Sequence, residues 1–559
     1  MSVLPFMFMA SRGARSQELS ELHKKSPVIR TGPNTLSYGD VRAIKDIYGH
    51  NTKASKDPSY IVSAGTHYHL ADVVDRADHA RKRKVLSSAY ALKNLETWEY
   101  KVSDKIERLV KHLDKCCTAA PVSGGRAFVP SAEDLTVDIR AWINFFTLDA
   151  MADIGLSEKL GFLDKGNDIC VAERKDGSTF ECGLRDALYP LAIKQCMVLW
   201  NYEWFPIINK LVDVFPYFRN LQKKGDAWEH IIWRRSSERL RRYEAGEKLN
   251  DFFQALMEDK NGRPNNLEFG EIAAEVNIMM NAGTVTTAIA ITNVLYQLIR
   301  HPEAMAKLRE EIDGVLGPDE IVASYDTVKH LPYLRACLDE SLRILPPTPH
   351  GLPRQTPPEG MEILGEWVPG NTSVSISAYV AHHDESVFPQ PHKFIPERFL
   401  GEAGKELGPY FITFSAGARS CIGRNISYLE QTKALATLVH RYDFALPYPD
   451  WEPKRKHNTS QNSHAAIYFY GKYIPDIKLE VKYSSPAQKA PPIDVPDAAP
   501  SKSYANRHPF RPVQESITNH VAQLGVVSYI HLAQYEFDER GKEGAGNGYH
   551  YNGARDDRP

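Results

Sequence analysis

One cysteine in this chain stands where it could hold a metal. Phe414-Ser415-Ala416-Gly417-Ala418-Arg419-Ser420-Cys421-Ile422-Gly423 is a glycine-bearing loop, and Ile422, Ile426, Leu429, Leu435, Leu438 and Val439 recur at helical spacing. The spacing predicts a helix that begins beside Cys421. The first N–H groups of a helix are unpaired and carry partial positive charge, which favours thiolate over thiol. A thiolate is an electron-rich iron ligand, and haem iron with a cysteine axial ligand is suited to O–O cleavage. Gly417 permits a tight turn, and Gly423 leaves no side chain where a flat macrocycle would approach the backbone.

The elements that must position this loop come from a long, balanced chain. It has 559 residues, with 68 Lys and Arg against 70 Asp and Glu, so no global field argues for nucleic acid. Its 7 cysteines include an odd one and show no framework spacing, which points to a reduced, cytosol-facing compartment. No run reaches the length of apolar residues that spans a bilayer, and Met1 to Ala10 is too short to do so.

Residues 26 to 50 read as short strands and turns, with Gly32-Pro33-Asn34 marking a turn. A helix carrying Asp78 to Lys84 runs to about Tyr90 and sets His79 and Arg83 on one face. From Ser103 to about Asp251 the pattern is mostly helical, and the aromatics from Trp200 to Phe218 read first as core. A short helix over Asp251 to Glu258 and a turn at Asp259-Lys260-Asn261-Gly262 precede the longest helix, Phe269 to Arg300, which His301-Pro302 ends. That helix is apolar nearly all round, as a buried helix is, while Glu271, Glu275, Asn277 and Asn281 argue against a membrane span. Glu340 and Arg343 are three apart on one helix face. Pro346 to Arg354 excludes helix. After about Ser484 a proline-rich linker leads into a polar tail that reads as disordered, and Lys454 to Tyr473 is polar, aromatic and long.

The pattern Phe-x-x-Gly-x-Arg-x-Cys-x-Gly at Phe414 to Gly423 resembles the haem-binding loop of the cytochromes P-450. Ala282-Gly283-Thr284-Val285-Thr286-Thr287, Glu340-Ser341-Leu342-Arg343 and Pro396-Glu397-Arg398-Phe399 resemble further motifs of that family, in its order. The resemblance implies a mainly α fold over residues 1–483, with a long central helix over the haem and small β-sheets. It implies haem b as cofactor, with Cys421 on the iron and Phe414, Gly417 and Gly423 shaping the loop. His79, Arg83, Arg354 and Arg419 would hold the propionates, and Glu340, Arg343 and Arg398 would brace the loop. By the same resemblance Gly283 would make room for O₂ and Thr286 would relay protons, while Met280, Thr348, His350 and Gly351 would face a small hydrophobic or aromatic substrate. Electrons would come from NADPH-cytochrome P-450 reductase, with cytochrome b5 as a second donor, and Arg81, Lys82 and Lys84 are either a docking face or a solvated one. The family's usual place is the cytosolic face of the endoplasmic reticulum; no anchor is visible, so either one precedes Met1 or the protein is held weakly or not at all.

One core motif departs from the pattern. Val285 stands where the family carries an acid, and valine cannot deliver protons. Water, or Thr284 with Thr286, would have to substitute. His350 to Arg354, Arg424 to Gln431 and Tyr48-Gly49-His50 resemble the fungal benzoate para-hydroxylase branch and secondary-metabolism members. Together these favour oxygen insertion into a small aromatic or natural-product intermediate. Two rivals stand beside that reading: a haem-thiolate enzyme using peroxide or a rearranging substrate, and a non-catalytic, degenerate paralogue.

Overall fold

The apolar helix Phe269–Arg300 is the axis of the molecule, with its residues from Thr287 to Leu298 buried without a break. It meets the criteria for crossing a membrane by length and composition, yet most of its apolar window is covered by protein. Ile139–Leu156 packs along it, buried on nearly every face, and Pro332–Ile344 and Arg424–Arg441 close the other sides. The two long helices approach closely at Gly283, where a Cβ would stand 2.6 Å from Met151 Cε.

The structure is a computed structural model that describes residues 9, 14–63, 65, 67–116, 136–198, 202–446 and 478–483. By internal contacts the chain divides into Met1–Gln488 and Lys489–Pro559, and the second unit lies outside the described residues. So do Lys454 to Tyr473 and the proline-rich tail.

Among the described residues the fold is mainly α with small sheets, as expected. The largest sheet runs Val28–Gly32, Thr35–Tyr38, Ser373–Ile376, Arg354–Gln355 and Ser55–Lys56 in spatial order. Its last ladder sets Lys56 opposite Arg354. Three details differ from the sequence reading. Ala43–Tyr48 is helical, its Ile44, Ile47 and Tyr48 buried. The helical stretch before Asp251 is interrupted by an antiparallel hairpin, Ile169–Glu173 with Thr179–Gly183. The aromatic stretch is largely surface: Phe205 is buried, but Trp204 is 57% and Tyr217 55% exposed. An aromatic run reports apolar content, not the direction in which it faces.

Candidate active site

Arg424–Arg441 begins with Gly423 as its N-cap, so Cys421 sits just ahead of the helix. The Cys421 N–H donates to the Phe414 carbonyl at 2.8 Å, closing the loop on itself. Gly417 turns it at φ 66°, where any Cβ would also run into the Tyr48 carbonyl. Phe414 packs against Tyr428 with ring centres 5.2 Å apart. Cys421 lines a cavity deep in the fold, and its free surface is that wall. Burial pushes its thiol up, outweighing the Gly423 N–H, the charges of Arg83 and Arg424, and the Arg424 N–H, all of which favour thiolate. The helix start therefore acts in the expected direction without winning alone, and a coordinated cation would complete the deprotonation.

Facing the loop across the cavity is the central helix, with Ile278, Met279, Ala282, Gly283, Thr286 and Thr287 in the wall. Thr286 Oγ1 donates to the Ala282 carbonyl at 2.8 Å. Thr284 does not join it: its hydroxyl donates to the Met280 carbonyl at 2.7 Å and the side chain is buried in the core. Met280 is likewise buried outside the lining, which takes Met279 instead. Val285 points into a separate small pocket with Arg140, Asn144 and Tyr189.

The edge of the cavity is crowded with basic groups. His79, Arg83, Arg354 and Arg419 all line it, and so does Lys56, for which the sequence held no motif. Arg83 donates to the Ser420 carbonyl at 2.5 Å, Arg419 to the Val73 and Val74 carbonyls at 2.6 and 2.9 Å, and Arg354 to the Pro353 carbonyl at 3.1 Å. Burial, then the neighbouring Arg354 and Arg76, bring Arg419 down to about 10. Burial, Arg354 and Arg419 hold Lys56 well below the usual lysine range. His79 is held down to about 3 by burial and by Arg419, Lys56, Arg83 and Arg354. Crowded and buried together, these basic groups disfavour one another's charged forms unless an anion joins them. Asp72 does not supply it fully, because burial lifts its own carboxyl to about 8.

This set fits a flat apolar group with an acidic edge and a metal that one thiolate could hold. The Cys421 sulfur lies on one side, an aliphatic helix wall on the other, and cations gather at the edge. A Cβ on Gly423 would stand in ordinary contact with Ile426 Cγ2 at 3.8 Å and with that sulfur at 3.9 Å, on the cavity side of the loop. Among the described residues no group of three or more His, Cys, Asp or Glu could hold a bare ion.

Behind the loop, Glu340 is wholly buried between two arginines: Arg343 donates at 2.7 and 2.9 Å and Arg398 at 3.0 Å. Arg343 also reaches the His382 carbonyl at 2.7 Å. His382 then accepts the Ile412 N–H at 2.9 Å on Nε2, so its proton sits on Nδ1, 3.1 Å from the Arg343 carbonyl. Burial and Arg343 keep that imidazole neutral. His382 thus ties the ion-pair cluster to the segment entering the loop, a role its sequence context did not announce.

At the other end, Thr348 and His350 line the cavity, whereas Gly351 lies outside the lining and backs onto Ser375, whose hydroxyl a Cβ would crowd. Glu275 also lines it, its carboxyl lifted to about 7 by burial against the pull of Lys82 at 3.3 Å. Lys82 is therefore buried in a pair and not part of a basic surface, and Arg81 is engaged by Asp78 and Glu271.

The model of the cytochrome P450 family matches residues 4–466. The chain belongs to that family. It is 29% identical to the cytochrome P450 monooxygenase efuB of Hormonema carpetanum, over 80% of this chain and 84% of the relative. It is equally 29% identical to the cytochrome P450 monooxygenase lcsI of Purpureocillium lilacinum, over 80% and 83%. With the tryprostatin B 6-hydroxylase of Aspergillus fumigatus it shares 27% identity over 79% and 72%. The protein is accordingly an oxidoreductase of a haem-dependent family that uses O₂, a redox partner and small substrates.

Proposed function

We propose that this chain binds haem b through the Cys421 thiolate and inserts one oxygen atom into a small aromatic or natural-product intermediate. The observation that carries the reading is the position of Cys421 in a cavity whose edge holds Lys56, His79, Arg83, Arg354 and Arg419 and whose far wall is Gly283 and Thr286. When bound, haem supplies O₂ activation driven by two electrons, with thiolate donation favouring O–O cleavage. The residues do the rest. Arg354, Arg419 and Lys56 hold the acidic edge, and Met151, seated against Gly283, sets the depth of the wall. Thr286 keeps a hydroxyl at the cavity face, where it passes protons from water. The aliphatic lining excludes bulk water and favours an apolar ring. The name of the Aspergillus relative, tryprostatin B 6-hydroxylase, supports the substrate class. Electrons would come from a separate NADPH-dependent reductase, since the chain carries no nicotinamide or flavin fingerprint.

The reduced, CO-bound absorption spectrum tests this. Thiolate ligation in the native chain and its loss in Cys421→Ser would bear it out; a histidine-type band in the native chain would overturn it. A second reading rests on Val285, which faces Arg140 and Tyr189 where an acid would otherwise stand. It predicts product formation from peroxide without a reductase, at a rate at least equal to the reductase-driven one.

A further inference from the structure

The hairpin formed by Ile169–Glu173 and Thr179–Gly183 carries two cysteines directly opposite each other, Cys170 and Cys182. The Leu184 N–H donates to the Asp168 carbonyl and the Arg174 N–H to the Ser178 carbonyl, both at 2.9 Å. Those bonds fix the phase of the ladder, making Cys170 and Cys182 a hydrogen-bonded pair with Cα atoms about 5.5 Å apart. That separation falls within the span a disulfide bridges. Both are free thiols here, Cys170 buried and Cys182 half-buried.

A third group makes the pair reactive. Arg235, on the helix Pro216–Glu244 that packs on the hairpin, is buried and reaches Cys170. One of its nitrogens pairs with Glu158, while its Nε meets no hydrogen-bond partner among the described residues. The two thiols share a contact, so one ionises at the expense of the other. Contact with Cys182 and the Arg235 charge hold the Cys170 thiol below its usual range against burial, and the Cys182 thiol is pushed up by that same contact.

We propose that Cys170 and Cys182 form a peroxide-reactive dithiol that closes into a reversible cross-strand disulfide. The Cys170 thiolate attacks one oxygen of hydrogen peroxide, breaking the O–O bond and giving a sulfenic acid and hydroxide, which takes a proton from solvent. The Cys182 sulfur then attacks the sulfenic sulfur, and the hydroxyl leaves with the Cys182 proton as water. Two thiols lose two electrons, and peroxide becomes two waters. The bridge is a labile one. Opposed Cβ atoms in a ladder stand about 4.5–5.5 Å apart, closest in non-hydrogen-bonded pairs, whereas a disulfide brings them to about 3.5–4.5 Å. The closed form therefore carries strain, which raises its reduction potential and lets cellular thiols reopen it.

The test exposes the haem-loaded full chain to equimolar hydrogen peroxide, blocks free thiols with iodoacetamide and maps peptides by mass spectrometry. The expected product joins the Cys170 and Cys182 peptides within one chain and reverts with dithiothreitol. In Cys182→Ser, dimedone should instead trap a sulfenic acid on Cys170. Arg235→Met should slow closure about tenfold, one pKa unit's worth of thiolate, with circular dichroism confirming that the variant is folded. Both cysteines remaining alkylatable in folded protein, or bridging only between chains, would overturn the proposal. So would dimedone capture on Cys182 in a Cys170→Ser chain at the native rate.

Discussion

Lys56 concentrates the chemistry of the site in one side chain. It is buried, donates to the Ala71 carbonyl and lies 3.9 Å over the Tyr60 ring, with Arg354 across the ladder. In the protein alone it is a repelled charge; beside a carboxylate it is an attractive one. Lys56→Met should leave the apoprotein at least as stable and weaken haem retention about tenfold, as expected for one lost charge-assisted bond. Haem transfer to a scavenger protein measures this, and an unchanged transfer rate would remove Lys56 from the edge. Glu430 behaves in the opposite sense. It is buried one turn past Ile426, neither carboxyl oxygen has a hydrogen-bond partner among the described residues, and burial lifts its pKa far above the usual range. Folded, it keeps its proton; unfolded, it loses it above about pH 4.3. Its contribution is therefore greatest at low pH and falls by about 1.4 kcal/mol per pH unit above that point. Glu430→Gln has no proton to lose, so its stability relative to the native chain should improve by about 1–3 kcal/mol between pH 5 and 7.5. Urea unfolding at the two pH values checks it; a pH-independent difference would refute it.

At the scale of elements, the cysteine loop is suspended from a helix it does not belong to. Pro332–Ile344 supplies Glu340 and Arg343, and their charges are satisfied together with Arg398, the Ile395 N–H and the His382 and Lys393 carbonyls. The His382 imidazole extends this order to Ile412, two residues from Phe414. Thr413 adds a second tie, to the Leu342 carbonyl at 3.1 Å. Replacing His382 with Leu keeps the volume but leaves the Ile412 N–H and the Arg343 carbonyl without their partner. Each stranded buried group costs about 1–3 kcal/mol, so the variant should lose about 2–4 kcal/mol and release haem faster. Calorimetry and the haem-loss rate decide this together. Loss of stability with unaltered haem release would confine His382 to the core.

For the whole molecule, the cavity is assembled from segments far apart in the chain: the Ser55–Lys56 strand, the helix with His79 and Arg83, the central helix, and the strand and loop from Thr348 to Cys421. The cavity combines apolar walls with uncompensated positive charge, so a ligand that neutralises the edge should raise the melting temperature. Haem in thousandfold excess over its dissociation constant would add about 4 kcal/mol. Differential scanning calorimetry of the apo and loaded forms should show the rise. Equal melting temperatures would mean that the cavity is not built around that group.

The sequence alone determined the central helix to its ends, because an apolar run stopped by His301-Pro302 is a local property. It also located the cysteine loop, since Gly417, Arg419 and Cys421 stand within a few residues of one another, although Gly417 and Arg419 find their partners at Tyr48, Val73 and Val74. It identified Glu340 and Arg343 because their helical spacing makes them a pair before any tertiary contact forms. Tertiary structure alone decided Lys56, His382 and Glu275, each of which acquires its role from residues that lie more than about fifteen positions away in the chain or on another element. It also turned Trp204 and Tyr217 outward, left Thr284 in the core and placed Gly351 behind the wall. Local pattern records what a residue is and how it repeats; direction and charge environment arise only when distant segments pack.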